Sequence, residues 1–400
     1  MRALFIHQNF PGQFRELQHH VVGWGWETKA LCSCQREWNP AIEVRTYKQP
    51  EQDQNKKPEG ILEEVSNWIG RGTEVAKEAL KLKAEGWAPD IILAHPGWGE
   101  CLYIKSVFPS SVLACWPELW LNYKHMGANN SRQLKAEDIA YIETKNWLAE
   151  KALGESKLII APTTYQQTSF PERHQQKIKV IHEGVREDLF KMQRLNEICL
   201  PSGIQLKIGT PVITFTSRNL EPMRGFDLLM QTIPFVQEEI PSAHFVIVGG
   251  DEQSYSSKHH SGETWLEVYK KRWGNQIDWR RVHILGRLPY VELLKIYRRS
   301  DLHLYLSKEF VLSWSLIEAA ALGCKIVCTE NPMSAELAAK IESVSLSKDN
   351  TIELTKKIRY SLEICCDERN KWREQTKKEY CISNTSSKLH KALEESLNNF

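Results

Sequence analysis

Short apolar runs recur along the chain, with longer helix-patterned stretches between them. In the first half they fall at residues 3–7, 28–32, 90–94, 112–116, 158–161 and 179–182. In the second half they fall at 212–216, 244–248, 282–285, 302–306 and 325–328. Several are continuously apolar rather than alternating, the pattern of parallel strands covered on both faces. Repeated alternation of strand and helix predicts an α/β protein built on doubly wound sheets. The stretch 193–209 interrupts this rhythm. It carries Pro201-Ser202-Gly203, lacks periodicity and precedes a fresh strand at Pro211, so it reads as the boundary between two such halves. Polar stretches at 49–60 and 254–262 read as exposed loops, and the C-terminal residues as polar helix. No repeat of fixed period is present. Two Rossmann-like halves joined by one linker place a cleft at the carboxyl ends of their strands, so residues that do chemistry are expected just after strands.

Composition narrows the class. At 400 residues the chain is long enough for two domains of ordinary size. A hydrophobic content of 42% with 26% charged residues describes a soluble globular protein. The net charge of +2 gives no electrostatic case for nucleic acid. No apolar run approaches the ~20 residues of a membrane span. The opening Met1-Arg2-Ala3-Leu4-Phe5-Ile6-His7 reads as a first strand rather than a secretory signal, which makes cytoplasmic residence the expectation. Peripheral contact with the inner face of a membrane, through a basic and aromatic surface on the N-terminal half, stays open. The ten cysteines show no metal spacing. Cys32 and Cys34 are two apart, Cys365 and Cys366 are adjacent, and Cys115, Cys324 and Cys328 lie in apolar stretches; buried free thiols in a reducing compartment are expected. Neither a metal nor a cofactor is expected. Most of the 14 tryptophans belong in cores, while Trp98, Trp116 and Trp120 lie near polar motif residues, where stacking on a sugar ring is the alternative. No G-x-G-x-x-G follows the first strand of either half, which argues against a nicotinamide dehydrogenase.

The candidate chemistry does sit at strand ends. His7-Gln8-Asn9-Phe10-Pro11-Gly12 follows the first strand, and Gly12 allows either an ordinary turn or a close backbone approach to a ligand. His95-Pro96-Gly97-Trp98-Gly99-Glu100 follows the run at 90–94 and offers an imidazole able to donate to a hydroxyl beside loose backbone. Glu118, among aromatics after another strand, reads as a sugar-hydroxyl acceptor or as a buried ion-pair partner. Ser217-Arg218-Asn219-Leu220-Glu221-Pro222-Met223-Arg224-Gly225 follows the run at 212–216. Its two guanidiniums would neutralise a diphosphate through paired charge-assisted hydrogen bonds, a solvated charge pair being the alternative. Gly249 and Gly250 let backbone pass near a nucleotide, and Arg287-Leu288 could supply backbone groups to a base edge.

The segment from Phe310 to Gly323 carries the most information. Ser313 is placed to cap a helix that Gly323 closes, and Glu318 sits about one turn in. A helix start suits phosphate, and a carboxylate beside it suits a neighbouring hydroxyl such as a ribose. Phosphate plus ribose means a nucleotide. An ordinary buried amphipathic helix is the competing reading.

Assembled, these residues resemble the GT-B-fold glycosyltransferases of the family 4 type, in particular the bacterial, retaining, nucleotide-sugar-dependent enzymes. The resemblance runs over nearly the whole chain. It is strongest in the segments 95–100, 218–225 and 281–323, and the opening Ile6 to Phe14 resembles one subgroup. It implies two Rossmann-like domains facing a central cleft. The N-terminal domain, 1–195, takes the acceptor side; 196–209 is the linker; 210–365 takes the donor side. A helical segment at 366–400 follows, with a crossing back to the N-terminal domain as one option. The resemblance implies a nucleoside diphosphate sugar as co-substrate, a UDP-sugar favoured over a GDP-sugar. The product would be a polysaccharide or glycoconjugate built on a carbohydrate, lipid-linked or protein acceptor. Arg218 and Arg224 match the pair that holds the diphosphate, Trp314 and Ser315 the N–H donors at the helix start, and Glu318 the second acid of a paired-glutamate motif, which binds ribose. His95 matches a histidine near the transferred sugar, and Gly12 the glycine loop by the phosphates. Ser217, Gly249, Gly250, Arg287, Leu288, Phe310 and Ser313 complete the expected donor side, and Gly97, Trp98 and Glu118 the acceptor side. The first acid of the motif is replaced by Phe310, with Glu309 beside it. Phe310 is expected to pack inward beside Leu312, with the backbone of Val311 to Ser313 meeting the donor and Glu309 left on the surface. The rival readings are a non-catalytic sugar-nucleotide-binding scaffold and a nucleotide-sugar epimerase.

Overall fold

Strands that are apolar at every position need cover on both faces, and the molecule supplies it. A computed structural model describes residues 1–34, 36–49, 60–126, 134–256, 258–364 and 368–398. The loop expected at 49–60 falls almost wholly outside these, as do Cys365, Cys366 and residue 257 of the 254–262 loop. The chain divides into two units, Met1–Gly184 with Ile382–Phe400, and Val185–Cys381.

In the first unit, β1 (Arg2–Ile6), β2 (Glu27–Cys32), β3 (Glu43–Thr46), β4 (Ile91–Ala94), β5 (Val112–Cys115), β6 (Leu158–Ala161) and β7 (Ile178–Val180) form one parallel sheet in the order β3-β2-β1-β4-β5-β6-β7. Side chains alternate between its faces. Leu4, Ile6, Ile92, Ala94, Leu113 and Cys115 enter one core, with Val75, Ala79 and Leu82 of the helix Ile61–Ala84. Ala3, Phe5, Ile91, Leu93, Val112 and Ala114 enter the other, with Leu389, Ala392 and Leu393 of the C-terminal helix Ile382–Asn398. That helix is therefore part of the first unit's packing.

In the second unit, β8 (Ile198–Cys199) and β9 (Gln205–Leu206) make a small antiparallel ribbon. The parallel sheet follows, from β10 (Val212–Asn219), β11 (His244–Gly250), β12 (Val282–Ile284), β13 (Leu302–Tyr305), β14 (Ile326–Thr329) and β15 (Val344–Ser347), in the order β12-β11-β10-β13-β14-β15. The stretch 196–209, expected as a linker, holds that ribbon. Leu200 and Leu206 pack with Val212, Val246 and Ile296, and the buried Arg299 donates to the carbonyls of Lys207 and Thr210, both at 2.7 Å. A sequence rich in turn residues is here fastened to a body by one guanidinium and two leucines. Among the described residues, no helix is long and apolar enough to cross a membrane. Of the described cysteines, Cys32, Cys101, Cys115, Cys324, Cys328 and Cys381 are buried free thiols, Cys34 is half-buried and Cys199 exposed.

Candidate functional site

In the second sheet the chain runs outward through β10, β11 and β12, then returns to add β13, β14 and β15 on the other side. The order reverses between β10 and β13, and crevices in doubly wound sheets open at the carboxyl ends of such strands. The two loops leaving β10 and β13 are tied together there, with the Lys308 N–H donating to the Met223 carbonyl at 3.0 Å. Gly225, at φ +74°, is what lets them meet: a Cβ at that position would collide with the Leu306 carbonyl oxygen.

The two arginines of the first loop have different surroundings. Arg218 is exposed. Arg224, at the end of the short turn Pro222–Arg224, is only 8% exposed and has no carboxylate partner among the described residues. Its guanidinium lies 4.6 Å from the ring centroid of Tyr255. Burial raises the Tyr305 phenol above its ordinary value, and the Arg224 guanidinium opposes that rise. Ser313 takes the extended position before the helix Trp314–Ala321, but its hydroxyl pairs with that of Ser315 at 2.8 Å instead of capping a backbone N–H. Gly323 closes the helix as expected, at φ +76°, its N–H donating to Ala320. Glu318 is 4% exposed and accepts a hydrogen bond from the Tyr290 hydroxyl at 2.8 Å. Burial and then the Glu318 carboxylate push the Tyr297 phenol up.

Phe310 corrects one expectation: it is half-buried against Tyr255, ring centroids 5.1 Å apart at 59°. Glu309 is half-buried too, not a free surface residue. The Ser217 hydroxyl donates to the Asn219 carbonyl, and the Gly249 N–H to the Gly286 carbonyl. The Gly250 carbonyl accepts from Leu220 N–H. Arg287 reaches back to Asn219 at 3.0 Å and Glu252 at 2.8 Å, while Leu288 packs its side chain into the cluster around Val246.

The first sheet reverses between β1 and β4, and His7 and His95 follow those two strands. Their rings lie 6.0 Å apart. The Nδ1 of His95 accepts the Gly97 N–H at 3.0 Å, and that of His7 accepts the Asn9 N–H at 3.0 Å. Each neutral ring therefore carries its proton on Nε2. Burial lowers His7 to about 4, with Arg36 adding to it, and burial holds His95 well below its ordinary value. The His95 Nε2 is buried with no partner among the described residues. Trp98 stacks on His95 at 3.8 Å, and Gly12, at φ +48°, leaves the space the His7 ring fills. Two cations hold the loop carbonyls: Lys145 on Gly97, and Arg71 on Trp98 at 3.0 Å. Burial lowers Lys145 to about 8, and burial raises the Glu100 carboxyl that Tyr47 contacts at 3.1 Å. Glu118 is exposed, so the buried ion-pair reading does not hold; its carbonyl accepts from the Gln166 side chain. Trp116 is 2% exposed and belongs to the core, whereas Trp120 is half-buried against Phe170.

Sequence reasoning missed Tyr255, Tyr290, Lys145 and Arg71. Each reaches its partner from a segment remote in the chain, and none stands at a strand end. Glu221 alone had a signal, lying between the two arginines of a quoted motif.

Two doubly wound parallel sheets, each with its candidate residues at the order reversal, define a GT-B architecture. The glycosyl transferase family 4 group matches residues 24–190, and the glycosyl transferases group 1 matches residues 203–379. The chain belongs to the glycosyltransferases of the family 4 type. Among solved structures it is similar to sucrose-phosphate synthase from Thermosynechococcus elongatus, at 13% identity over 100% of both chains with a TM-score of 0.73. It is also similar to HepE from Anabaena in complex with UDP-glucose, at 16% identity over 99% of this chain and 100% of that one, TM-score 0.66. A glycosyltransferase from Rickettsia africae ESF-5 is similar at 14% identity over 100% of this chain and 99% of that one, TM-score 0.66. At such identities the likeness is one of fold. No curated protein sequence matches the chain.

Proposed function

We propose that the protein transfers a sugar from a nucleoside diphosphate sugar to an acceptor hydroxyl, with retention at the anomeric carbon. The observation that carries this is Arg224, a buried cation without a counter-ion among the described residues, on a loop tied to the one that leads into the Glu318 helix. A buried charge left unpaired is costly unless an anion completes the site. A diphosphate is such an anion. Negative charge grows on it as the glycosidic bond breaks, and cations already in place stabilise that charge without reorganising. Arg224, Arg218 and the N–H groups of Trp314 and Ser315 take this role, and Glu318 takes the ribose. In the first unit, His95 presents a neutral Nε2–H to a hydroxyl of the transferred sugar, and Gly97 and Trp98 line the acceptor. A UDP-sugar is favoured, in keeping with the UDP-glucose complex of HepE. No metal is assigned a step. The acceptor is a carbohydrate, lipid-linked or protein hydroxyl.

Incubation with a panel of UDP- and GDP-sugars tests the proposal. Slow release of free nucleoside diphosphate, accelerated by an acceptor, is the expected result. Conversion to an epimer would make the protein an epimerase, and binding without turnover would make it a scaffold.

A further inference from the structure

The Tyr255 ring against Arg224 is held in place by the loop that carries it. Glu221 is fully buried, and its carboxylate accepts from the tip of the loop after β11: Ser254 Oγ at 2.8 Å, Ser254 N at 3.3 Å, Tyr255 N at 3.1 Å to each oxygen, and Ser256 N at 2.9 Å. The stitching is reciprocal, since the Ser256 hydroxyl accepts the Met223 N–H at 3.0 Å and the Asn219 amide donates to Ser254 Oγ at 3.1 Å. A buried carboxylate with this many donors is a satisfied one, and it fixes three successive backbone N–H groups at once. Tyr255, the middle residue of the three, is thereby laid beside Arg224, ring centroid to Cζ 4.6 Å. Phe310 backs the same ring at 5.1 Å.

A guanidinium can be held in two ways that differ in what they leave open. A carboxylate takes its N–H fork; an aromatic ring takes its flat face and leaves the fork in plane for another acceptor. Arg224 has its Cζ over the Tyr255 ring, and no carboxylate pairs with it among the described residues. Phe310, whose ring lies against Tyr255, brings no carboxylate to that fork. Resting on the nucleotide-sugar reading above, we propose that Tyr255 is a positioning residue. Pinned by Glu221 and backed by Phe310, it orients the Arg224 guanidinium by its face so that the N–H fork is presented to the donor diphosphate.

Calorimetric titration with UDP, and with GDP in parallel, tests this on the full chain. The variants are Tyr255→Leu, Tyr255→Phe, Arg224→Ala and the double variant Arg224→Ala/Tyr255→Leu, each checked for an unchanged thermal midpoint. Tyr255→Leu should weaken the bound nucleotide about three- to fivefold, the scale of a cation–π contact whose ring is partly exposed. Tyr255→Phe, which restores the ring, should recover most of that loss. In the Arg224→Ala background Tyr255→Leu should cost little more, because the two act through one guanidinium. A merely structural tyrosine would not show that coupling. Full affinity in Tyr255→Leu, no recovery in Tyr255→Phe, or losses that multiply in the double variant would each overturn the proposal. Wild-type affinity in Arg224→Ala would instead overturn the diphosphate reading on which it rests.

Discussion

Glu318 is a buried carboxylate that accepts from the Tyr290 hydroxyl at 2.8 Å. A carboxylate has about four lone-pair sites, so the Tyr290 bond does not preclude a ribose hydroxyl. Glu318→Gln should therefore weaken nucleoside diphosphate binding about tenfold or more, while an unchanged calorimetric affinity would return the residue to a purely structural role. Glu309 makes the opposite case. With Phe310 turned to Tyr255, we assign the donor contact to the backbone of Val311 to Ser313, so Glu309→Ala should change turnover by less than about threefold. A loss of ~100-fold, about 2.7 kcal/mol, would show that Glu309 has taken over the missing acid. At this scale the sequence exposes what is fixed by position after a strand, as with His95, Arg224 and Glu318. It hides what arrives through space. Tyr255 lies in a polar stretch that reads as an exposed loop, and the buried Glu221 carboxylate, through space, brings it to Arg224.

The loop after β4 shows how an element is held rigid by groups outside it. Lys145 and Arg71, from the helices Ala136–Glu155 and Ile61–Ala84, both donate to its carbonyls. Burial is what lowers Lys145 from 10.5 to about 8, against the favourable fields of Glu64, Glu100 and Glu118 and with Arg71 adding to the fall. The unfolded chain thus holds this proton up to about pH 10.5, while the folded unit gives it up near 8. Stability from this group rises with pH between those values and is lost as pH falls back through 8. The wild type should accordingly gain stability over Lys145→Met as pH is raised from 8 to 10, measured by urea midpoints. A constant difference would show that the ammonium is not desolvated. The elements that patterning did not reveal are short or polar: β3 is an edge strand, Glu-Val-Arg-Thr, with no buried residue, and β8 and β9 hold two residues each. Nothing in such segments alternates or runs apolar long enough to be read. Continuous runs such as Ile91–Ala94 were legible for the opposite reason, because a strand buried on both faces cannot carry a polar residue cheaply.

At the scale of the whole molecule, the same burial that keeps His7 and His95 neutral makes the first unit sensitive to acid. The unfolded chain binds a proton at His7 near 6.5, the folded unit only near 4, so stability present above 6.5 is lost as pH falls toward 4. For His7 alone the loss at pH 5 is about 2 kcal/mol. His7→Asn keeps an acceptor for the Asn9 N–H but cannot charge, and it should flatten the pH dependence of the first unit's unfolding between 7.5 and 5. An equally steep dependence in that variant would place the acid sensitivity elsewhere. The two-sheet architecture was legible because each sheet repeats one strand–helix rhythm. The fastening of 196–209 and the packing of the C-terminal helix on the first unit depend on tertiary contacts, Arg299 on two carbonyls and Leu389 and Leu393 in a core, that no local pattern announces.

The central claim is that the buried, ring-held Arg224 stabilises the diphosphate as it leaves. Release of nucleoside diphosphate from saturating donor, compared between wild type and Arg224→Ala, tests it most directly. A fall in turnover of ~100-fold or more with the fold intact is predicted, the scale of losing one preorganised charge at a leaving group. Near-normal turnover in Arg224→Ala would contradict the account.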